Sequence, residues 1–296
     1  MILRTIALLG LACGLALPLA AQTLERVRSA NLLTLGYIDQ LQPFSSGPAT
    51  QPSGYVIELC QRIAERIRRE QDLPQLRLVY RQLAREEALA ALQDGRVDLL
   101  CSPLVASLER RRRVSFSLPI YPSGRSAAVR ADAPPALLRA LEGKVERTAP
   151  QWRATINRGL ARGTFAVIAG STTEQWVRQQ LRLFGVVSDV VAVQGFAEGI
   201  ALLEAGKADA FFGDRVVLQR QIAASAAAQP PRVLERIFEL EPVALALPRG
   251  DEDLRLLVDS ELSLIYRSGE IEPLYRQYFG EPGEQVRLLF KAYALP

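Results

Sequence analysis

Three positions in this 296-residue chain could do binding chemistry, and none has the makings of a covalent catalyst. Arg110 opens a run of four arginines in "SLERRRRV" (107–114). Its planar guanidinium can take both oxygens of a carboxylate at once. Ser107 is a natural N-cap, so Arg110 is expected in the first turn of a short helix, whose free N–H groups also favour an anion. Asp214 ends "ADAFFGD" and precedes "RVVLQRQIA". It could hold a cation, cap the following helix, or do both. Ser171 and Thr172 in "AGSTTE" lie at another helix start; hydroxyl and backbone donation to an anion competes there with a capping box closed by Glu174. Arg111 to Arg113 read as a solvated face.

Composition excludes much else. The chain has no histidine, which removes Ser-His-Asp and Cys-His arrangements, histidine metal sites and the commonest general base. Cys60 and Cys101 are too few for a thiolate zinc site. No cofactor and no metal are expected. A net charge of +4 is mild, and the arginines are spread along the whole chain, so nucleic acid is not an expected partner.

Residues 1–21 carry one early positive charge, Arg4, then an apolar run closing on small residues at "PLAAQ". That is the pattern of a cleaved secretory signal peptide, and it implies an exported, periplasmic protein. In an oxidising compartment Cys60 and Cys101 suggest one disulfide; two buried free thiols are the competing reading, since both lie in apolar segments.

The elements that must position these residues alternate between short β-rich runs and helical patterns, the mark of an α/β fold with largely parallel strands. Strands are expected at "LLTLGY" (32–37), "LRLVY", "VDLLC", "TFAVI", "DVVAV" and "ADAFF". Helices are expected at "GYVIELCQRIAERIRRE" (54–70), "REEALAALQD", "TEQWVRQQLRLF" and "AEGIALLEA", and two more close the chain. One echo stands out. "ALQDGRVDLLCSP" (91–103) and "LLEAGKADAFFGD" (202–214) each end a helix, turn at glycine, carry a base and an aspartate, and enter an apolar strand. Two βα units of one design suggest two related lobes. Each delivers polar residues, Ser102 and Asp214, at the strand end where open α/β sheets bind ligands. Residues 131–163, with paired prolines and scattered charge, carry no functional reading.

With these stretches in view the chain resembles the periplasmic amino-acid-binding proteins of ABC importers, bacterial solute-binding protein family 3. The likeness runs in order and spacing from "GYIDQLQPFS" through "ALQDGRVDLLCSPLVASLERRRRVSFSLPIY" and "VIAGSTTEQWV" to "IEPLYRQYFG". "ELC", "LPQLRLVY" and the cysteine after "VDLL" are most similar to the glutamate/aspartate-binding subgroup. The resemblance implies a two-lobed periplasmic binding protein fold (type II) with two crossing strands as hinge. Lobe I would comprise 22–122 plus 243–296 and lobe II 126–240. It implies a monomer that captures an amino acid between the lobes and hands it to a membrane permease, with no enzymatic step. By the same likeness Arg110 takes the ligand carboxylate, Asp214 its ammonium, and Ser171 and Thr172 further donors. Ser102, Pro103, Val105, Ile38 and Leu41 complete the expected pocket. A ligand-sensing protein on the same scaffold is the alternative.

Several positions depart from the family pattern. Val105 stands where a hydroxyl is usual, and Pro103 replaces a small residue. The subgroup's arginines for an acidic side chain would fall at Ile38 and Ala88, and Leu41 replaces an aromatic. Arg81, Arg85 and Arg125 are near enough in sequence to compensate. An acidic and a neutral ligand therefore both remain open.

Overall fold

The computed structural model describes residues 23–143 and 159–296. The stretch read as a signal peptide and the middle of 131–163 lie outside the described residues.

Among the described residues nine strands form one continuous sheet in the order β2-β1-β3-β9-β4-β7-β5-β6, with β8 (Arg232–Val233) beside β4. One wing is parallel: β1 (Leu32–Tyr37) lies between β2 (Arg77–Gln82) and β3 (Leu99–Val105). The other wing is also parallel: β5 (Thr164–Ile168) lies between β6 (Asp189–Val193) and β7 (Ala210–Asp214). Between the wings run two long antiparallel strands, β4 (Ser115–Val129) and β9 (Glu239–Leu247). These are the two crossing strands. Pro119 and Pro122 cannot donate to a ladder, and the register of β4 shifts on both sides of Pro119.

The helices follow their patterns. In α2 (Tyr55–Glu70), Val56, Leu59, Cys60, Ile63 and Ile67 are buried along one face. The α3 helix (Ala88–Gln93) packs against β1 and β3. On the second wing lie α4 (Pro135–Glu142), α5 (Thr172–Phe184), α6 (Phe196–Glu204) and α7 (Arg215–Ala223). A first helix, α1 (Thr23–Ala30), and α8 (Glu252–Ser268) and α9 (Ile271–Phe279) return to the first wing. Two helices were expected at the chain's end, yet a third, α10 (Glu284–Tyr293), is present. Val286, Phe290 and Tyr293 form its inner face. Phe290 anchors it, 5.7 Å from the Tyr266 ring and 5.6 Å from Tyr275.

The echo between 91–103 and 202–214 has a shared physical purpose. Gly95 and Gly206 adopt φ +67° and +66°, the left-handed turn that lets a helix stop and a strand begin. Asp98 then ties itself to the head of β1: its N–H reaches Thr34 O, and its Oδ2 accepts from Thr34 N, both at 2.8 or 2.7 Å. Asp209 does the same to the head of β5 through Thr164 O and Thr164 N, both at 2.8 Å. An arginine closes each clamp, Arg26 on Asp98 and Arg130 on Asp209.

Cys60 of α2 and Cys101 of β3 are joined, with Cα atoms 6.2 Å apart. The bridge pins helix to strand just before the strand enters the site. With a sequence separation of 41 residues, its loss is expected to cost about 2–4 kcal/mol, chiefly by freeing the unfolded chain. Denaturant unfolding of a Cys60→Ala/Cys101→Ala double variant checks this. An unchanged stability would show that the bridge contributes nothing.

Candidate functional site

The ends of β3, β5 and β7 converge with the crossing strands on one cavity of about 90 Å³. One water needs roughly 10–15 Å³ measured this way, so the space suits a small molecule. From the first wing come Pro103, Val105 and the apolar Leu41 and Phe44. From the second come Ile168, Ser171, Thr172 and Asp214. The crossing strands add Ser123 and Glu241, paired with each other in the β4–β9 register. Arg85 and Arg110 supply the positive charge. A wider outer chamber of about 550 Å³ adjoins, and Arg85, Leu104, Arg110 and Thr172 line both spaces.

Arg110 is separated from its three neighbours by burial. It is half-buried and faces the cavity, whereas Arg111, Arg112 and Arg113 are exposed. Arg113 donates to Gln93 on the surface. The expected cap is there in part: Ser107 Oγ accepts from Arg110 N at 3.3 Å, but only a single 3₁₀ turn follows (Arg110–Arg112). Arg110 Nη1 donates to Val105 O at 3.1 Å, which steadies the fork. Burial pulls the Arg110 pKa down, and Glu241 and Glu109 oppose it. Arginine remains charged throughout.

Asp214 caps α7 and lines the cavity as well. Its Oδ1 accepts from Val216 N and Val217 N at 2.9 and 3.0 Å, and Ser123 donates to its other oxygen. Burial pushes its pKa up, and these three donors work against the rise.

Ser171 is the N-cap of α5. Its Oγ accepts from Glu174 N at 3.1 Å and donates to Ile168 O, while Glu174 reaches back to Gly170 N. The capping reading therefore holds, and Ser171 still borders the cavity. Thr172 shares the cavity wall with Glu241, whose pKa burial raises and Arg125 and Thr172 hold down. The first-turn N–H groups of Thr172 and Thr173 belong to the orphan donors of a helix start, at the cavity wall.

Two expected pocket residues lie elsewhere. Ser102 is fully buried, and its Oγ accepts from Ile38 N at 2.7 Å. That bond holds β3 to the chain leaving β1, and neither Ser102 nor Ile38 is among the residues lining the cavity.

Glu241 was missed, although an acid at the head of the apolar run "PVALAL" was a signal. It is engaged by Arg125, the largest fully buried side chain among the described residues, 2% exposed. Arg125 also pairs with Glu239, approaches Thr173 Oγ1 at 3.4 Å and lies 4.9 Å from the Trp176 ring. Of the three arginines considered as substitutes for the subgroup's, only Arg85 borders the cavity. Arg81 is exposed, and Arg125 is spent on the crossing strands.

The wings also touch across the cleft. Gln175 of α5 donates to Glu109 at 3.2 Å, Gln221 of α7 to Gln40 O at 3.2 Å, and Arg220 to Tyr278 O at 2.9 Å. All three contacts are exposed, so they are weak.

Comparison with known proteins agrees with this architecture. The chain is 24% identical over 262 residues to an L-glutamate/L-aspartate-binding protein of Pseudomonas aeruginosa, covering 88% of this chain and 80% of that one. It is 24% identical over 258 residues to the L-cystine-binding protein TcyJ of Escherichia coli K12, covering 87% and 86%. Among solved structures, an ancestral amino acid-binding protein, a precursor of cyclohexadienyl dehydratase, superposes with a TM-score of 0.68. Identity is 22%, over 88% of this chain and 100% of that one. The fold is thus the two-lobed periplasmic binding protein fold (type II), an α/β architecture hinged on β4 and β9. Residues 33–281 match the model for bacterial extracellular solute-binding proteins, family 3, and the chain belongs to that family.

Proposed function

We propose that the protein captures an amino acid between lobe I (22–122 plus 243–296) and lobe II (126–240) and delivers it to the membrane permease of an ABC importer. The observation that carries this reading is that Arg110 and Asp214, far apart in sequence, border one small cavity. A buried carboxylate and a buried ammonium each need a partner of opposite charge. Arg110, with the first N–H groups of α5, suits the carboxylate, and Asp214 suits the ammonium. Leu41, Phe44, Pro103 and Val105 then pack the ligand's carbon atoms.

Binding and release are enough for this role. Asp214 already accepts three hydrogen bonds, which makes it a poor base, so no covalent step is assigned to it. Closure is a hinge motion on the crossing strands, with the exposed cross-cleft contacts breaking and re-forming. One chain supplies both halves of the site, so a monomer suffices. The leader read at 1–21 supports a periplasmic location, and no described helix is long and apolar enough to cross a membrane.

Calorimetry of the purified protein against the twenty common amino acids tests the proposal. At least one is expected to bind with a Kd of about 1 μM or tighter, an affinity of about 8 kcal/mol. No heat with any of them would overturn it.

A further inference from the structure

Three consecutive residues of β4 are held by side chains from helices of the first wing. Asp259 of α8 accepts from Leu118 N at 2.7 Å, Tyr266 of α8 donates to Pro119 O at 2.6 Å, and Tyr55 of α2 donates to Ile120 O at 2.7 Å. The next residue, Tyr121, stacks its ring on Phe279 and Tyr275 of α9, with centroids 4.7 and 6.1 Å away. From Arg125 to Val129 the same strand pairs with β7 and so belongs to the second wing. Residues 122–124 lie between the two grips. Ser123 donates to Asp214 of β7, and Pro122 stands opposite Pro242 of β9. Neither proline has an N–H, so no ladder bond is donated at that pair.

Phe290 of α10 is wedged behind the first grip. It is buried between two of the tyrosines, 5.7 Å from Tyr266 with the rings tilted by 24°, and 5.6 Å from Tyr275 with the rings edge to face at 70°. Tyr293 adds a third ring 6.4 Å from Tyr266. Ser263 of α8 donates to Leu295 O at 2.7 Å, and Arg287 pairs with Glu272 of α9 at 3.4 Å. The helix thus bridges α8 and α9, the two elements whose tyrosines hold β4. It begins at Glu284, beyond residue 281 where the family match ends.

We propose that α10 is a brace for the hinge, with Phe290 as a positioning residue: by fixing Tyr266 and Tyr275 it keeps residues 118–121 rigid with the first wing, so that the wings rotate at the Pro122–Pro242 pair. Without the wedge a cavity is left between the two tyrosines, and the surroundings refill it only in part. The pivot then spreads from Pro122 back along β4, and the wings sample more relative orientations. The same stack of rings reaches the binding cavity, because Phe44 in its wall meets Tyr121 edge to face at 4.9 Å. The brace concerns motion of the wings and does not depend on what the cleft binds.

Spin labels at Arg81→Cys on β2 and Leu183→Cys on α5, both exposed positions, report the distance between the wings in ligand-free protein. Phe290→Ala is expected to broaden the distribution of that distance. Amide exchange of Leu118, Ile120 and Tyr121 is expected to quicken by about 5- to 30-fold, the equivalent of releasing one residue's backbone, while exchange in β5 to β7 stays as in the wild type. Should Phe290→Ala fail to fold, Phe290→Leu, which keeps apolar bulk but not the ring, takes its place with the same signs. Tyr266→Phe keeps the ring and removes only the hydroxyl on Pro119 O. It is expected to quicken exchange at the same three amides by about 3- to 10-fold and to leave exchange in α10 unchanged. An unaltered distance distribution in the Phe290 variant would overturn the brace even if exchange within α10 rises, since a merely structural cap would give that result. Unaltered exchange at the three amides in Tyr266→Phe would overturn the grip on β4. Silence of the protein toward every amino acid would overturn the proposed function and leave the brace standing.

Discussion

Arg110→Ala is expected to weaken binding of any amino-acid ligand by about 100- to 1,000-fold, or about 3–4 kcal/mol, with the fold unchanged. Most of that loss comes from leaving the ligand carboxylate enclosed without its bidentate partner. Arg110→Lys is expected to recover only part of the affinity. It restores a point charge but not the fork that Val105 O holds in place. Stability should barely change, because the Arg110 side chain supports one backbone carbonyl in a single 3₁₀ turn. Titration calorimetry reads the first effect and thermal unfolding the second. Retained affinity in Arg110→Ala would remove Arg110 from the site. As a control, Arg112→Ala, one of the exposed neighbours, is expected to bind as the wild type does.

Arg125→Met is expected to destabilise the protein by about 3–5 kcal/mol, with no direct contact to the ligand lost. Arg125 is enclosed between Glu239 and Glu241 of β9 on one side and faces Asp214 of β7 in register on the other. Removing one member of such a network leaves Glu241, whose side chain is 12% exposed, without its cation. Replacing both members, as Arg125→Met/Glu241→Leu, is expected to return much of the loss, since a packed apolar pair avoids the desolvation cost.

The loss should also depend on pH. Burial already raises the Glu241 pKa above the ordinary glutamate value, and Arg125 limits that rise. Without Arg125 the folded-state value climbs further. A carboxyl whose folded pKa exceeds its unfolded one destabilises above the folded value and carries no penalty once both states are protonated. The destabilisation of Arg125→Met is therefore expected to be greatest at high pH and to shrink as pH falls toward the ordinary glutamate range. A loss that is the same at pH 8 and pH 5 would show that charge burial is not its cause. Denaturant unfolding across this range makes the measurement.

Much of the fold can be read from local windows. The face of α2 repeats at helical spacing within the window 54–70. The capped starts of α5 and α7 sit where Ser171 and Asp214 stand. The paired Gly95 and Gly206 mark where two helices must stop. The third closing helix escaped although Val286, Phe290 and Tyr293 repeat at helical spacing and pack on the core, because three positions over ten residues make a short period. Asp214 caps α7 and also borders the cavity, which a side chain with two oxygens can do at once.

What the sequence by itself determined is the order of the βα elements in each wing, the capped helix starts, the doubled βα design and the presence of Arg110 and Asp214, the two groups proposed for the ends of a zwitterion. Each is settled by interactions within a few residues, or by a residue type that has few other uses. Only the tertiary structure decided which cations face the cavity. Ser102 is buried where its hydroxyl satisfies the Ile38 N–H, Ile38 is buried outside the cavity lining, and Arg125 is consumed between two glutamates. Arg85 is left at the edge of both chambers. The physical reason is that a long side chain's charged end lies several bonds from its backbone. Its surroundings are set by the register of strands drawn from distant parts of the chain, and no local window contains that register.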